Sequence, residues 1–153
     1  METITCTPVG VVKCPVTRMS QGNWATIESE IHLEPPYAAG LRGLEGFSHI
    51  MVVFYLHQAT GFDPAKQMLR RPRGMENMPE VGVFAQRTKY RPNPIGVSSV
   101  ELRAIRGNVL IVRGLDALDG TPVLDLKPYM PEFDRVADAR TPGWVGHVME
   151  GYF

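Results

Sequence analysis

The sequence has few of the marks of a secreted, membrane-spanning or metal-dependent protein. Its 153 residues include two cysteines, Cys6 and Cys14. That is too few for a disulfide framework, and no second Cys or Cys/His pair completes a zinc set, so both read as reduced packing residues. The longest unbroken apolar run, Ile50 to Leu56, is seven residues, against the roughly 20 that a bilayer-spanning helix needs. No membrane segment is expected. Met1-Glu2-Thr3-Ile4-Thr5-Cys6 has no basic stretch leading into a hydrophobic one, which argues against a secretory leader and makes a cytoplasmic location the default. A Gly-x-Gly-x-x-Gly junction, a phosphate-binding Gly-Lys-Ser/Thr loop and a Gly-x-Ser-x-Gly elbow are all missing, which disfavours a Rossmann-type cofactor site. His32, His49, His57 and His147 are not spaced as ligands from one helix, so no metal is expected.

Net charge is also absent. Sixteen basic and sixteen acidic residues balance, which argues against a protein that coats nucleic acid by overall attraction. The distribution is nevertheless uneven. Lys66, Arg70, Arg71, Arg73, Arg87, Lys89 and Arg91 stand against only Glu76 and Glu80, seven minus two, a local excess of five. Such a cluster is either a solvated loop or a patch that holds a polyanion by ion pairing and counterion release.

What the chain does have is turn formers and short apolar stretches. Thirteen prolines and fifteen glycines leave few windows for a three-turn helix. Val9–Lys13 reads as a strand closed by Pro15. In Thr26–Leu33 the residues Ile27, Ile31 and Leu33 alternate with Thr26, Glu28, Glu30 and His32, the period of two of a half-buried strand. Pro35–Leu41 fits a helical turn or two, proline first and glycine near its end. His49–His57, apolar between two histidines, predicts a central strand covered on both faces and more buried than any other element. Gln58–Glu80 reads as a long irregular segment, of the kind that forms lids or binding loops. Short strands resume at Val81–Phe84, Val97–Ile105, Val109–Arg113 and Val123–Leu126, with Arg106-Gly107-Asn108 as a hairpin turn. The expected fold is mainly β: one small barrel-like domain over residues 1–153, with few short helices.

Two segments carry the chemistry. In Arg87-Thr88-Lys89-Tyr90-Arg91-Pro92-Asn93-Pro94-Ile95-Gly96, prolines on both sides of Asn93 stiffen the backbone and remove two amide donors, ending at a flexible Gly96. In Leu115–Tyr129, Asp119-Gly120 is a good turn whose plain reading is a hairpin tip.

These residues resemble the TrmO family of S-adenosylmethionine-dependent tRNA adenine methyltransferases. The likeness lies in Phe84-Ala85-Gln86-Arg87 with Arg91-Pro92-Asn93-Pro94-Ile95-Gly96, in Gly43-Leu44-Glu45-Gly46-Phe47-Ser48-His49, in Asp119-Gly120-Thr121-Pro122-Val123 and in Asp125-Leu126-Lys127-Pro128-Tyr129. Four blocks in order are specific where each alone is weak. The resemblance implies a β-barrel-like fold, a homodimer, S-adenosylmethionine as methyl donor, and tRNA as partner, methylated on N6 of the threonylcarbamoyl-adenosine that adjoins the anticodon. Carried over by position, the cofactor residues are Ser20, Gln21, Gly22, Leu56, His57, Arg87, Thr88, Ser98, Asp119, Gly120, Thr121 and Pro122. Arg87 would meet the methionine carboxylate, its other role being a structural salt bridge. His57 and Asp119 are the catalytic candidates for taking a proton from a poorly nucleophilic nitrogen. Arg91, Asn93, Lys127 and Tyr129 are the candidates for contact with RNA. For His49 a hydrogen-bonded structural histidine is preferred.

Longer members of the family carry an additional C-terminal domain, whereas this chain stops soon after Thr141-Pro142-Gly143-Trp144. The tRNA identity therefore rests on resemblance alone. A non-catalytic S-adenosylmethionine-binding sensor and a methyltransferase of a small phosphorylated substrate stand as alternatives. The aromatics of Gly143–Phe153 suit a dimer interface or ordinary core packing equally.

Overall fold

The computed structural model describes residues 2–18 and 23–153. Six strands close into one antiparallel barrel: β1 (Gly10–Lys13), β2 (Glu28–Leu33), β3 (His49–Tyr55), β6 (Ile95–Arg106), β7 (Val109–Arg113) and β8 (Pro122–Pro128), in the order β1-β2-β7-β6-β3-β8 and back to β1. Two further short strands, β4 (Leu69–Arg70) and β5 (Val81–Gly82), form a separate ribbon. Helices are few and short: α1 (Pro64–Gln67), α2 (Pro131–Asp134) and α3 (Trp144–Met149), with Pro35–Leu41 coiled as a tight helical stretch.

Alternation fills the barrel. In β2, Ser29, Ile31 and Leu33 point inward and Glu28 and Glu30 outward. In β3 the inward residues are Ile50, Val52 and Phe54, each 0–2% exposed. Together with Val12, Val100, Leu110, Val112, Leu115 and Val123 they form one contiguous core, and burial of such side chains contributes about 1.5–3 kcal/mol each. The expectation that β3 is covered on both faces needs correction. Its edges are both paired, to β6 and β8, but a barrel wall buries one face, and Met51 and Val53 on the outer face are only half-buried.

Gly96 also differs from its expected role as a flexible end. It pairs with Phe54 across the β3–β6 ladder. A Cβ there would lie 2.9 Å from Phe54 Cδ2, and closer still to Cε2 and Cζ. The position is glycine because an aromatic ring packs flat against the backbone. By contrast, Gly107, with φ of 63°, serves the β6–β7 turn as expected. Asn108 Nδ2 ties that turn to the Leu33 carbonyl at 2.6 Å.

The stretch 58–80 is more ordered than its composition suggests. Asp63 caps α1 by accepting from the Ala65 amide at 2.9 Å, with Pro64 at the first helical position. The chain then returns as the β4–β5 ribbon, so Val81–Phe84 is a two-residue strand followed by a turn over Val83–Ala85 rather than a continuous strand. Among the described residues, no helix is long and apolar enough to cross a membrane.

Candidate functional site

Because every strand pairing is antiparallel, the connections 14–27, 56–94 and 114–121 all emerge at one end of the barrel, at the close of β1, β3 and β7. This mouth collects most of the sequence-derived candidates. The Leu56 amide donates to the Pro94 carbonyl at 2.7 Å, which locks the end of β3 against the proline-framed loop. His57 Nδ1 lies 3.3 Å from Thr121 Oγ1. Thr121 is 2% exposed, and the turn before it is stitched to β1: the Gly120 amide donates to the Val12 carbonyl at 2.9 Å, and the Val12 amide to the Thr121 carbonyl at 2.9 Å. Gly120 has φ of 77°, and nothing stands within 4 Å of where its side chain would begin. The Asp119-Gly120 turn is therefore part of the mouth, not a detached hairpin tip.

Asp119 is engaged structurally, with Oδ1 accepting from the Cys14 amide at 3.1 Å. Burial, with the nearby Asp119 carboxylate adding to it, pushes the Cys14 thiol above its ordinary pKa. Ser98 faces into the barrel beside the buried Val100 and donates to Asp116 Oδ1. Arg87 is exposed and donates through Nη2 to the Val97 carbonyl. No carboxylate lies within ion-pair distance of it among the described residues, so the alternative of a structural salt bridge finds no support. Arg91 staples its own loop, its Nη1 donating to the Gln86 carbonyl at 3.2 Å and the Thr88 carbonyl at 3.4 Å. Asn93 is exposed at the tip. Ser20, Gln21 and Gly22 lie outside the described residues.

Lys127 and Tyr129 do not join this group. Lys127 pairs across the ladder with Met51, and the Tyr129 amide donates to the His49 carbonyl at 3.1 Å. That is the opposite end of β3, about 20–25 Å from His57 at roughly 3.3 Å per residue. Lys127 Nζ is held 2.7 Å from Asp125 Oδ2, which raises its pKa. His49 is hydrogen-bonded, its Nδ1 2.8 Å from Ser48 Oγ, in keeping with a structural role.

Apart from Lys66, which pairs with Asp63 at 3.4 Å, the cations of 66–91 are held without a carboxylate partner among the described residues. Arg70 and Lys89 both lie over the Tyr90 ring, 5.4 and 5.0 Å from its centroid. Arg73 lies 5.6 Å from the centroid of Tyr152, and Arg71 donates to the Met78 carbonyl. Carbonyls and ring faces orient a guanidinium but leave its full charge. Beside them Phe84 is 73% exposed, while its neighbour Val83 is fully buried and donates to the Met68 carbonyl at 2.9 Å. A large ring is thus displayed outward from an anchored turn.

Two residues at the mouth escaped the sequence reading. Asp116 accepts from Ser98 and, at 2.8 Å, from the Tyr152 hydroxyl. Asp116 sat inside a singled-out segment but carried no motif of its own. Tyr152 lies 36 positions away in sequence, so only the fold brings it there.

The donor set fits a sulfonium nucleoside amino acid. An exposed arginine suits a carboxylate, and a hydroxyl, an imidazole and main-chain groups around an open glycine corner suit an adenosyl group. The comparisons with known proteins agree with that fit. The family model described as tRNA-methyltransferase O N-terminal domain matches residues 14–135. A probable S-adenosyl-L-methionine-binding protein of Methanothermobacter thermautotrophicus is 47% identical over 132 residues, 83% of this chain and 90% of that protein. The tRNA (adenine(37)-N6)-methyltransferase of Escherichia coli is 38% identical over 144 residues, 86% of this chain and 60% of that protein. The crystal structure of TrmO from Pseudomonas aeruginosa superposes with a TM-score of 0.74 at 35% identity, covering 91% of this chain and 61% of that one. This chain thus spans about three-fifths of those two longer relatives. With the fold, the ordered motifs and these matches in agreement, the chain belongs to the tRNA-methyltransferase O N-terminal domain family.

Proposed function

We propose that this protein transfers a methyl group from S-adenosylmethionine to N6 of the threonylcarbamoyl-adenosine next to the tRNA anticodon, using the barrel mouth as its donor pocket. The observation that carries the reading is convergence. Leu56–His57, Arg87–Thr88, Ser98 and Asp119–Pro122 come from four separate segments of the chain and lie toward one end of one barrel. Arg87 pairs with the donor carboxylate, and the open corner at Gly120 admits the nucleoside. The chemistry a bound S-adenosylmethionine supplies is a methyl group already activated on a sulfonium, so alignment does much of the work. The chain's own task is to hold the acceptor nitrogen in line and receive its proton. With Asp119 Oδ1 committed to the Cys14 amide, His57 is the better acceptor. When its Nδ1–H donates to Thr121 Oγ1, Nε2 is bare and free to take the proton.

The acceptor side is the cationic loop. Unneutralised arginines give salt-dependent attraction to phosphates, and exposed Phe84 offers a face on which an unpaired base stacks. Arg91 and Asn93 border the mouth and meet the nucleotide. Lys127 and Tyr129, at the far end, touch a more distant stretch of so long a substrate. The reading includes a homodimer and a cytoplasmic location, where tRNA is modified. A cleft of about 350 Å³ on the outer wall, apolar at Met51, Pro128, Met130 and Phe133 with Lys127 and Asp134 also lining it, supports the dimer, since Phe133 is 84% exposed.

The test is incubation of the pure protein with methyl-labelled donor and tRNA from a strain lacking the corresponding enzyme, followed by digestion to nucleosides and mass spectrometry. Label in methylated threonylcarbamoyl-adenosine is the expected result. Donor binding without transfer to any RNA would replace this reading with a sensor.

A further inference from the structure

Tyr152 belongs to no strand, yet it reaches the mouth. Its hydroxyl donates to Asp116 Oδ2 at 2.8 Å, and Ser98 Oγ donates to Asp116 Oδ1. One carboxylate thus spends each of its oxygens on a separate donor. Among the described residues no Lys, Arg or His nitrogen lies within ion-pair distance of Asp116. These two hydroxyls are therefore what stabilises its half-buried charge, and such charge-assisted bonds are the strong ones. The main chain of the same tail holds a second segment. The Asn23 amide donates to the Gly151 carbonyl at 2.9 Å and the Trp24 amide to the Tyr152 carbonyl at 3.0 Å. On its other side the Tyr152 ring carries the Arg73 guanidinium. Four parts of the mouth therefore share one fastening: residues 23–24, Arg73 of the cationic loop, Ser98 of β6 and Asp116 after β7.

We infer that Tyr152 is a positioning residue of the donor pocket. Through Asp116 it fixes the rotamer of Ser98, and the backbone of the same tail fixes Asn23 and Trp24, so the C-terminal tail is a working wall of the site. The inference rests on the reading that the mouth binds S-adenosylmethionine. Without the phenol, Asp116 has one free oxygen in a half-buried site. The carboxylate then rotates toward other donors and takes Ser98 with it.

The experiment is calorimetric titration with S-adenosylmethionine, alongside donor and tRNA kinetics and thermal unfolding, for wild type, Tyr152→Phe, Phe153→Ala, Asp116→Asn and the Tyr152→Phe/Asp116→Asn pair. Tyr152→Phe is expected to weaken donor binding about five- to tenfold, the share of one charge-assisted hydrogen bond that reaches the ligand. The KM for donor rises, while kcat and the KM for tRNA stay within about twofold. A merely structural residue would lower the melting temperature and leave this split unmoved. Phe153→Ala removes a ring that packs edge-on against Tyr152, 4.9 Å between centroids, but no hydrogen bond, and stays within about twofold of wild type in donor binding, which separates the hydroxyl's role from ring packing. The double variant is no weaker than Asp116→Asn alone, because both act through one network. Wild-type donor affinity in Tyr152→Phe overturns the inference, as do additive losses in the pair. Failure of the functional reading looks different: donor binding that responds to Tyr152→Phe but no methyl transfer to RNA.

Discussion

Replacing Gly96 with alanine tests the close approach of the Phe54 ring to β6, and the packing there sets the size of the effect. The new Cβ would stand 2.9 Å from Phe54 Cδ2 and nearer still to two other ring carbons, whereas unstrained carbon–carbon contacts are about 3.5–4.0 Å. Phe54 is 2% exposed inside a closed barrel, so the ring has to push into Val52 and Val123 or the β3–β6 ladder must part. Overpacking of this kind costs about 2–3 kcal/mol. For a chain of this length each kcal/mol lowers the melting temperature by about 2–4 °C, giving an expected drop of about 4–12 °C by differential scanning calorimetry. Gly82→Ala is the internal control: its φ is −63° and nothing stands within 4 Å of the added atom, so its melting temperature should stay within about 1–2 °C of wild type. Phe54→Leu added to Gly96→Ala should recover part of the loss, giving a non-additive cycle. An alanine at 96 that melts with wild type would refute the packing argument.

Arg87→Ala should weaken S-adenosylmethionine binding about 10- to 100-fold, the worth of a hydrogen-bonded charge pair; unchanged calorimetric affinity removes it as carboxylate partner. Phe84→Ala should cost about 1–3 kcal/mol of tRNA affinity in a filter-binding assay and leave donor affinity untouched. Burial, reinforced by the Asp116 carboxylate, holds the Tyr152 hydroxyl protonated above its ordinary pKa of 10.0. The unfolded chain loses that proton first, so the contribution to stability is complete below about pH 10 and fades as pH rises above it. Urea midpoints from pH 8 to 11 should therefore fall more steeply for wild type than for Tyr152→Phe, and parallel curves would contradict the assignment. Of the two thiols, exposed Cys6 should react with a disulfide reagent well before Cys14, whose thiol is partly buried and raised in pKa; equal rates would place Cys14 at the surface.

Much of the barrel was legible because its strands announce themselves by alternation and punctuation. Thr26–Leu33 follows a period of two, which the strand keeps over Glu28–Leu33, and Gly107 marks the β6–β7 hairpin. What misled was the continuous apolar run of β3. Such a run looks the same whether a sheet is covered on both faces or curls into a barrel whose outer wall keeps Met51 and Val53 half-covered. Gly96 was misread for a related reason, since a close approach to Phe54 is a tertiary fact that local sequence does not carry. The ribbon β4–β5 is only two residues long on each side and falls below any periodicity.

For the candidate site, motif order singled out Leu56, His57, Arg87 and Asp119–Pro122, and the fold brings them to one mouth. It could not tell that Lys127 and Tyr129, a few residues past Pro122, run down the barrel wall to the other end. Nor could it pair Asp116 with Tyr152 across 36 positions, because hydrogen bonds at that separation follow from topology, not from spacing.

The most direct measurement is a crystal structure of the protein soaked with S-adenosylmethionine. The account places the ligand in the barrel mouth, its carboxylate on Arg87 and its adenosyl group against the Asp119–Pro122 turn, within reach of Leu56 and His57. Density for the ligand on the outer wall near Met51 and Phe133, or anywhere that leaves this mouth vacant, would contradict it.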